Sequence, residues 1–136
     1  MSSSVTAATS TASLADYEAI QKSMQAYIEG VTEGRSERMK PSFHPAASFF
    51  GYYNGSLLAG SIQMLFDWVD QNGPATGTRT HVGQVDIRGT VAVVRLEMED
   101  LSGPLSLGGA ARLSDFFTLI KIDEQWLISQ KTFHWY

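Results

Sequence analysis

The chain has 136 residues, 10 basic against 14 acidic side chains for a net charge of −4, and no cysteine. That length fits one domain, which buries roughly 65–70% of the surface its unfolded chain exposes. The composition excludes disulfides, zinc–thiolate sites and thiol nucleophiles. The scattered basic residues argue against nucleic acid as a partner, and no run approaches the ~20 apolar residues of a membrane span.

In chain order, the opening MSSSVTAATSTAS has neither the basic n-region nor the apolar h-region of a signal peptide. Its Ser/Thr/Ala make-up predicts a disordered tail over 1–12, followed by one domain over 13–136 of a cytoplasmic protein. Ser13 with Asp16 three residues on is a capping-box-like helix start. Leu14, Tyr17, Ile20, Met24, Tyr27, Ile28 and Val31 then recur at helical spacing, and Gly34 is the stop. A short segment over 36–42 is helical but interrupted by Pro41, which lacks the N–H and crowds the preceding turn. Aromatic residues in AASFFGYY read as a strand, and Asn54-Gly55 as a hairpin turn. Ser61 opens a further helix with Ile62, Leu65, Phe66, Trp68 and Val69 on one face, ended by Gly73-Pro74. From residue 77 the period becomes two: strands over 78–87, 91–99, 112–122 and 125–135, with a Gly-rich loop, SGPLSLGG, in the middle. Helices first and antiparallel strands later predict an α+β fold. The sheet is apolar on both faces, so its outer face calls for a second cover, which a homodimer supplies.

Three segments carry a family resemblance: YIEGVTEGRSERMKPSFHPAASFFGY (27–52), VDIRGTVAVVRLEME (85–99) and SDFFTLIKIDEQWLISQKTFH (114–134). The arrangement resembles the nuclear transport factor 2-like superfamily, and within it the small bacterial proteins of the "putative lumazine-binding" group. Ala46 stands where that group commonly has an acidic residue, and Asp123-Glu124 where it commonly has Asp-Gly. The resemblance implies a cone-shaped, cystatin-like curved antiparallel sheet wrapped around N-terminal helices, an internal pocket, and dimerisation.

The candidate chemistry is sparse. His44, His81 and His134 are spaced 37 and 53 residues apart and match no metal-ligand motif; no metal is expected, and no phosphate-loop, dinucleotide or Gly-x-Ser-x-Gly pattern implies a cofactor. His44, before Pro45, reads first as a structural group at a helix end and second as a base at the cone's rim. Asp115 is the anomaly, an aspartate in an apolar strand. A two-residue turn at Asp123-Glu124 pairs Asp115 with Thr132 and sets it diagonally from His134, a candidate acid–base pair. A three-residue turn slips the register and puts Asp115 on the face of Lys131 and Phe133 instead, as a salt-bridge partner at a dimer interface. Both registers stay open at this point.

Aromatic residues at helical or strand spacing are chiefly core. A subset could line a pocket for a small apolar or aromatic ligand; Tyr17, Tyr53, Trp68 and Phe117, with His44 and Gln130, are the candidate contacts. Three functions follow. A small-molecule-binding protein calls for a cavity of roughly 300 Å³ or more. A ketosteroid-isomerase-like, dehydratase-like or cyclase-like enzyme calls for Asp115 and His134 within hydrogen-bond reach. A dimeric interaction module calls for a filled cone and an apolar outer face.

Overall fold

The computed structural model describes residues 12–103 and 110–136. The expected tail and most of the SGPLSLGG loop lie outside the described residues. Helix α1 (Leu14–Glu33) starts at a true capping box: the Asp16 N–H donates to Ser13 Oγ and the Ser13 N–H to Asp16 Oδ2. It ends at Gly34, whose φ of 70° is left-handed and favours a residue without Cβ. Around Pro41 the chain makes two 3-10 turns, Ser36–Arg38 and Lys40–Ser42.

Strands β1 (Phe43–Tyr53) and β2 (Ser56–Ser61) form a hairpin on Asn54-Gly55, both at positive φ. Helix α2 (Gln63–Asn72) follows, tied back by its Asp70, which accepts from the Ser36 N–H (2.8 Å) and Oγ (2.7 Å). Strands β3 (Arg79–Arg88), β4 (Val91–Leu101), β5 (Ala111–Ile122) and β6 (Gln125–Trp135) make the meander.

The six strands form one sheet in the order β2-β1-β6-β5-β4-β3. All neighbours are antiparallel except β1 and β6, which run parallel; the sheet is therefore mixed, because the long excursion through α2 and the meander returns the chain beside β1 from the other side. Register breaks at Phe43/Ser48, Val82/Gln84 and Met98/Leu101, and between Thr118 and Leu119, bend the sheet. The result is the α+β cone. Its concave face closes over Ile20, Met24, Tyr27 and Val31 of α1 and Leu65, Phe66 and Val69 of α2, all buried.

The last hairpin decides which side chains enter the cone. Its turn has two residues, Asp123 and Glu124, both at positive φ (49° and 64°), and Ile122 pairs with Gln125. Pairing runs as expected to Leu119 and Ile128, then Ser129 bulges out and Thr118 pairs with Gln130. Ser129 Oγ donates to the Thr118 carbonyl at 3.1 Å, so the bulge carries its own hydrogen bond. The extra residue exchanges the faces of β6 beyond it. Trp126 and Ile128 point inward, and so then do Lys131 and Phe133, while Gln130, Thr132 and His134 turn outward.

Candidate functional site

Across the inner face, cross-strand rows set the neighbours of each side chain. One row reads Phe49, Lys131, Phe117, Val94; the next reads Gly51, Phe133, Asp115, Leu96. Lys131 and Asp115 are thus diagonal neighbours on adjacent strands, a spacing that long side chains can bridge. Lys131 Nζ lies 2.9 Å from Asp115 Oδ1, with the two side chains 3% and 0% exposed. Helix α1 supplies the third member: the Tyr27 hydroxyl donates to Asp115 Oδ2 at 3.1 Å.

The surroundings are aromatic. Lys131 Nζ is 4.2 Å from the Phe133 ring centroid, 5.0 Å from Phe49 and 5.8 Å from Tyr27, within range of cation–π attraction. Gly51 makes this arrangement possible. A Cβ there would stand 2.3 Å from the Phe133 ring and 2.4 Å from its carbonyl oxygen. With glycine, the Phe133 ring covers β1 and stacks on Phe49 at 5.0 Å and 27°.

Burial drives both charged groups toward neutrality. It pushes the Asp115 carboxyl up, opposed by the adjacent Lys131 charge and the Tyr27 hydroxyl. It pulls the Lys131 ammonium down, opposed by Asp115. Tyr27 is held protonated, its pKa raised by burial and by the neighbouring carboxylate. Oδ1 meets the Lys131 ammonium at 2.9 Å, so each carboxylate oxygen has one polar neighbour.

Lys131 and Tyr27 line a cavity inside the cone together with Trp68, Phe133 and Trp135. About 20 Å³ of it is open to the centre of a water-sized sphere, close to the minimum for one water. This is far below the volume that a preformed site for a drug-sized ligand needs. Tyr53, Trp68 and Trp135 pack edge to face at 4.7 and 4.8 Å; all three are half-buried, and Trp68 and Trp135 line the cavity.

The expected pairing of Asp115 with His134 is corrected by the bulge at Ser129. His134 pairs with Ser114 on the outer face, exposed, with its ring 4.7 Å from Tyr136. Asp115 faces Lys131 and Phe133, as in the slipped register, but inside the cone rather than at a dimer interface. Of the expected ligand contacts, Trp68 lines the cavity, Tyr53 packs on it, and Phe117 is fully buried edge-on to Tyr27 at 5.1 Å. Tyr17 is 38% exposed on α1 and Gln130 lies on the outer face; neither reaches the cavity. His44 is half-buried at the start of β1, where its Nδ1 accepts from the Ala46 N–H at 2.9 Å. That bond spans Pro45 and holds the chain's extension; it differs in detail from a cap on a helix carbonyl. His134 and His81 lie three strands apart in one outer row, through Ser114 and Glu97, or about 14 Å at ordinary strand spacing. Sequence reasoning gave no site role to Tyr27, which looks like any other residue of an apolar helix stripe, and weighed Lys131 only as a surface partner.

The family described as "Putative lumazine-binding" matches residues 15–134. A curated relative, "Aldolase FrzH" from Cladobotryum sp., is 33% identical over 121 residues, covering 89% of this chain and 92% of its own. Two solved structures of NTF2-like proteins of unknown function are similar throughout. One, from Shewanella baltica, has a TM-score of 0.81 and 31% identity, covering 93% of this chain and 98% of its own. The other, from Methylobacillus flagellatus, has a TM-score of 0.82 and 32% identity, covering 94% and 98%. The chain belongs to the "Putative lumazine-binding" family of the nuclear transport factor 2-like superfamily.

Proposed function

We propose that the chain is an enzyme that admits a small carbonyl compound to the cone and moves a proton on the carbon beside the carbonyl, as an aldol or retro-aldol reaction requires. The observation that carries this reading is the buried Asp115–Lys131–Tyr27 cluster at the cavity. Removing an α-proton needs a base; the enolate oxygen that forms needs a proton donor or a positive charge. Desolvation raises Asp115 and lowers Lys131, which draws their proton affinities together. In the forward direction the Asp115 carboxylate takes the α-proton while Lys131 or the Tyr27 hydroxyl stabilises the enolate oxygen. The enolate carbon then bonds to a second carbonyl carbon, and the new alkoxide takes a proton. The name of the curated relative, an aldolase, supports this choice over other proton transfers. Because the cavity holds about one water, substrate entry requires its lining, Trp68 and Trp135 included, to move.

The experiment is α-proton exchange in D2O, followed by NMR, with acetone, hydroxyacetone and cyclohexanone as probes. Exchange well above the buffer rate, lost in Asp115→Asn, is expected. A wild-type rate equal to buffer for all three probes, or an unchanged rate in Asp115→Asn, refutes the reading.

The partner we propose for the outer face is a second copy of the chain. Phe50, Thr132 and Phe116 form one outer row, flanked by Tyr52 and Val93; Phe50, Tyr52, Val93 and Phe116 are 39–55% exposed. Sedimentation should give a dimer that Phe116→Lys dissociates, and a monomeric wild type overturns this. No helix among the described residues is long and apolar enough to cross a membrane.

A further inference from the structure

We propose that Lys131 is a covalent catalytic residue: its amine condenses with the carbonyl of the substrate to form an iminium ion inside the cone. The inference rests on the carbonyl-handling reading above and goes beyond it, since proton transfer alone needs no bond to the enzyme.

Four features of the site suit this chemistry. First, Lys131 is 3% exposed, whereas Lys22 and Lys40 are exposed and Lys121 is partly so. A desolvated amine is the form of lysine that attacks carbonyls. Second, its charge partner is close enough to take and return a proton, with Oδ1 at 2.9 Å. Third, the charge stays in place. An iminium carries its positive charge at and beside the nitrogen that bore the ammonium, so the Phe133, Phe49 and Tyr27 rings and the Asp115 carboxylate that hold one hold the other. Fourth, the cavity beside Lys131 has room for about one water and is lined chiefly by apolar side chains, surroundings that favour loss of water from the adduct.

The step balances without any redox partner. The Lys131 ammonium gives a proton to Asp115, and the free amine adds to the carbonyl carbon. A C–N bond forms, the carbonyl π electrons move to oxygen, and that oxygen takes the proton from Asp115. The nitrogen then gives a second proton, again through Asp115, to the same oxygen. The C–O bond breaks, water leaves, and the nitrogen lone pair completes the C=N bond. The sum is ketone plus ammonium giving iminium plus water. Asp115 then removes the α-proton of the iminium to leave an enamine, the carbon nucleophile of an aldol addition. Lys121 provides the contrast: its pKa is raised by Asp16 and it sits in a salt bridge at the rim, which suppresses the free amine.

The test uses the full chain with acetone, hydroxyacetone or cyclohexanone and sodium cyanoborohydride near pH 7, with intact-mass measurement and peptide mapping. The expected result is one ketone equivalent reductively fixed on Lys131 while the other three lysines stay unmodified. Lys131→Arg should abolish the label. If Lys131→Arg does not fold, the wild type with Asp115→Asn serves instead, in which labelling should fall at least tenfold. No label on Lys131 with any of the three probes, or equal labelling of all lysines, overturns the proposal. The two readings separate cleanly. Asp115-dependent α-exchange without an adduct leaves proton transfer standing and removes the covalent step. An adduct on Lys131 without α-exchange keeps the covalent amine and refutes the aldol-type function.

Discussion

Lys131→Met should destabilise the protein by an amount that grows with pH. The substitution removes the only charge partner that the fully buried Asp115 carboxyl has among the described residues. Asp115 then either stays ionised among Phe133, Leu96 and Tyr27, at a cost of several kcal/mol, or takes up a proton. Protonation sets the ceiling. With a carboxyl pKa of about 3.9 in the unfolded chain and 1.36 kcal/mol per pH unit, holding Asp115 neutral costs about 4 kcal/mol at pH 7 and about 1.5 kcal/mol at pH 5. The sign follows from the raised pKa. Above the unfolded value the unfolded chain has released the proton and the native chain keeps it, so stability falls as pH rises until the native group also ionises. In wild type the Asp115 contribution has the same sign and a smaller size, because the Lys131 charge opposes the upward push of burial.

The assay is urea unfolding at pH 5 and pH 7, read by far-UV circular dichroism and by the fluorescence of Trp68, Trp126 and Trp135. Against a typical domain stability of about 5–15 kcal/mol, Lys131→Met should still fold at pH 5 and be severely weakened at pH 7. The paired variant Asp115→Leu with Lys131→Met should recover wild-type stability or exceed it by about 1–4 kcal/mol, since apolar replacement of a buried ion pair is often neutral or favourable. A penalty that is the same at both pH values refutes the protonation argument. A paired variant no better than the single one shows that the cluster is held for stability, contrary to its assignment as a site.

Three further outcomes follow. Gly51→Ala forces a Cβ within 2.4 Å of Phe133 ring and backbone atoms; overpacking of this kind should cost about 1–3 kcal/mol and weaken the near-UV circular dichroism of the aromatic interior, whereas unchanged stability and signal would count against the described packing. Glu124→Gly removes a side chain from φ 64° and should raise stability by about 0.5–1 kcal/mol in a thermal melt; its 3.6 Å contact with Lys121 has Glu124 itself 92% exposed and should not offset this. Asp16→Asn should lower the melting temperature at pH 7 and erase a pH effect. Asp16 accepts from Trp126 Nε1 (3.0 Å), the Ser13 N–H (3.1 Å) and Lys121 Nζ (3.1 Å), which hold its carboxyl well below the usual range. Its contribution is present above the unfolded carboxyl value and lost as pH falls below it, so the gap between wild type and variant should close in acid.

The parts of the fold that are local in origin were legible in the sequence. The Ser13–Asp16 box, the Gly34 stop and the Asn54-Gly55 turn are each set by a few adjacent residues and appear where expected; of the two turn lengths left open at Asp123-Glu124, the two-residue one is found. The site was not legible, because one bulge at Ser129 sets it. Turn length alone does not fix register past an extra residue. A cue exists: in WLISQKTFHW the inward residues Trp126 and Ile128 change parity before Phe133 and Trp135, which a regular strand does not allow. Yet both parities of this strand carry apolar residues, so the switch is readable only once the inner face of β1 is known to present Phe49 and Gly51. Tyr27 was hidden for another reason. Its ring packs as core against Phe117 and Phe43, and only the hydroxyl at its end reaches Asp115.

The placement of the Lys131–Asp115 pair itself argues for function over structure. In the inner rows, every position beside the pair is filled by Phe, Leu, Val or Gly, and Leu or Met would pack there without any charge to desolvate. Tyr27 donates to Oδ2 and Lys131 pairs with Oδ1. The Lys131 amine meanwhile borders the interior's small cavity. Three charge-stabilising rings and a lysine beside a void leave room for a further polar group next to the amine. A carbonyl compound brought in past Trp68 and Trp135 supplies that group, and the bond it makes to Lys131 is what reductive trapping measures.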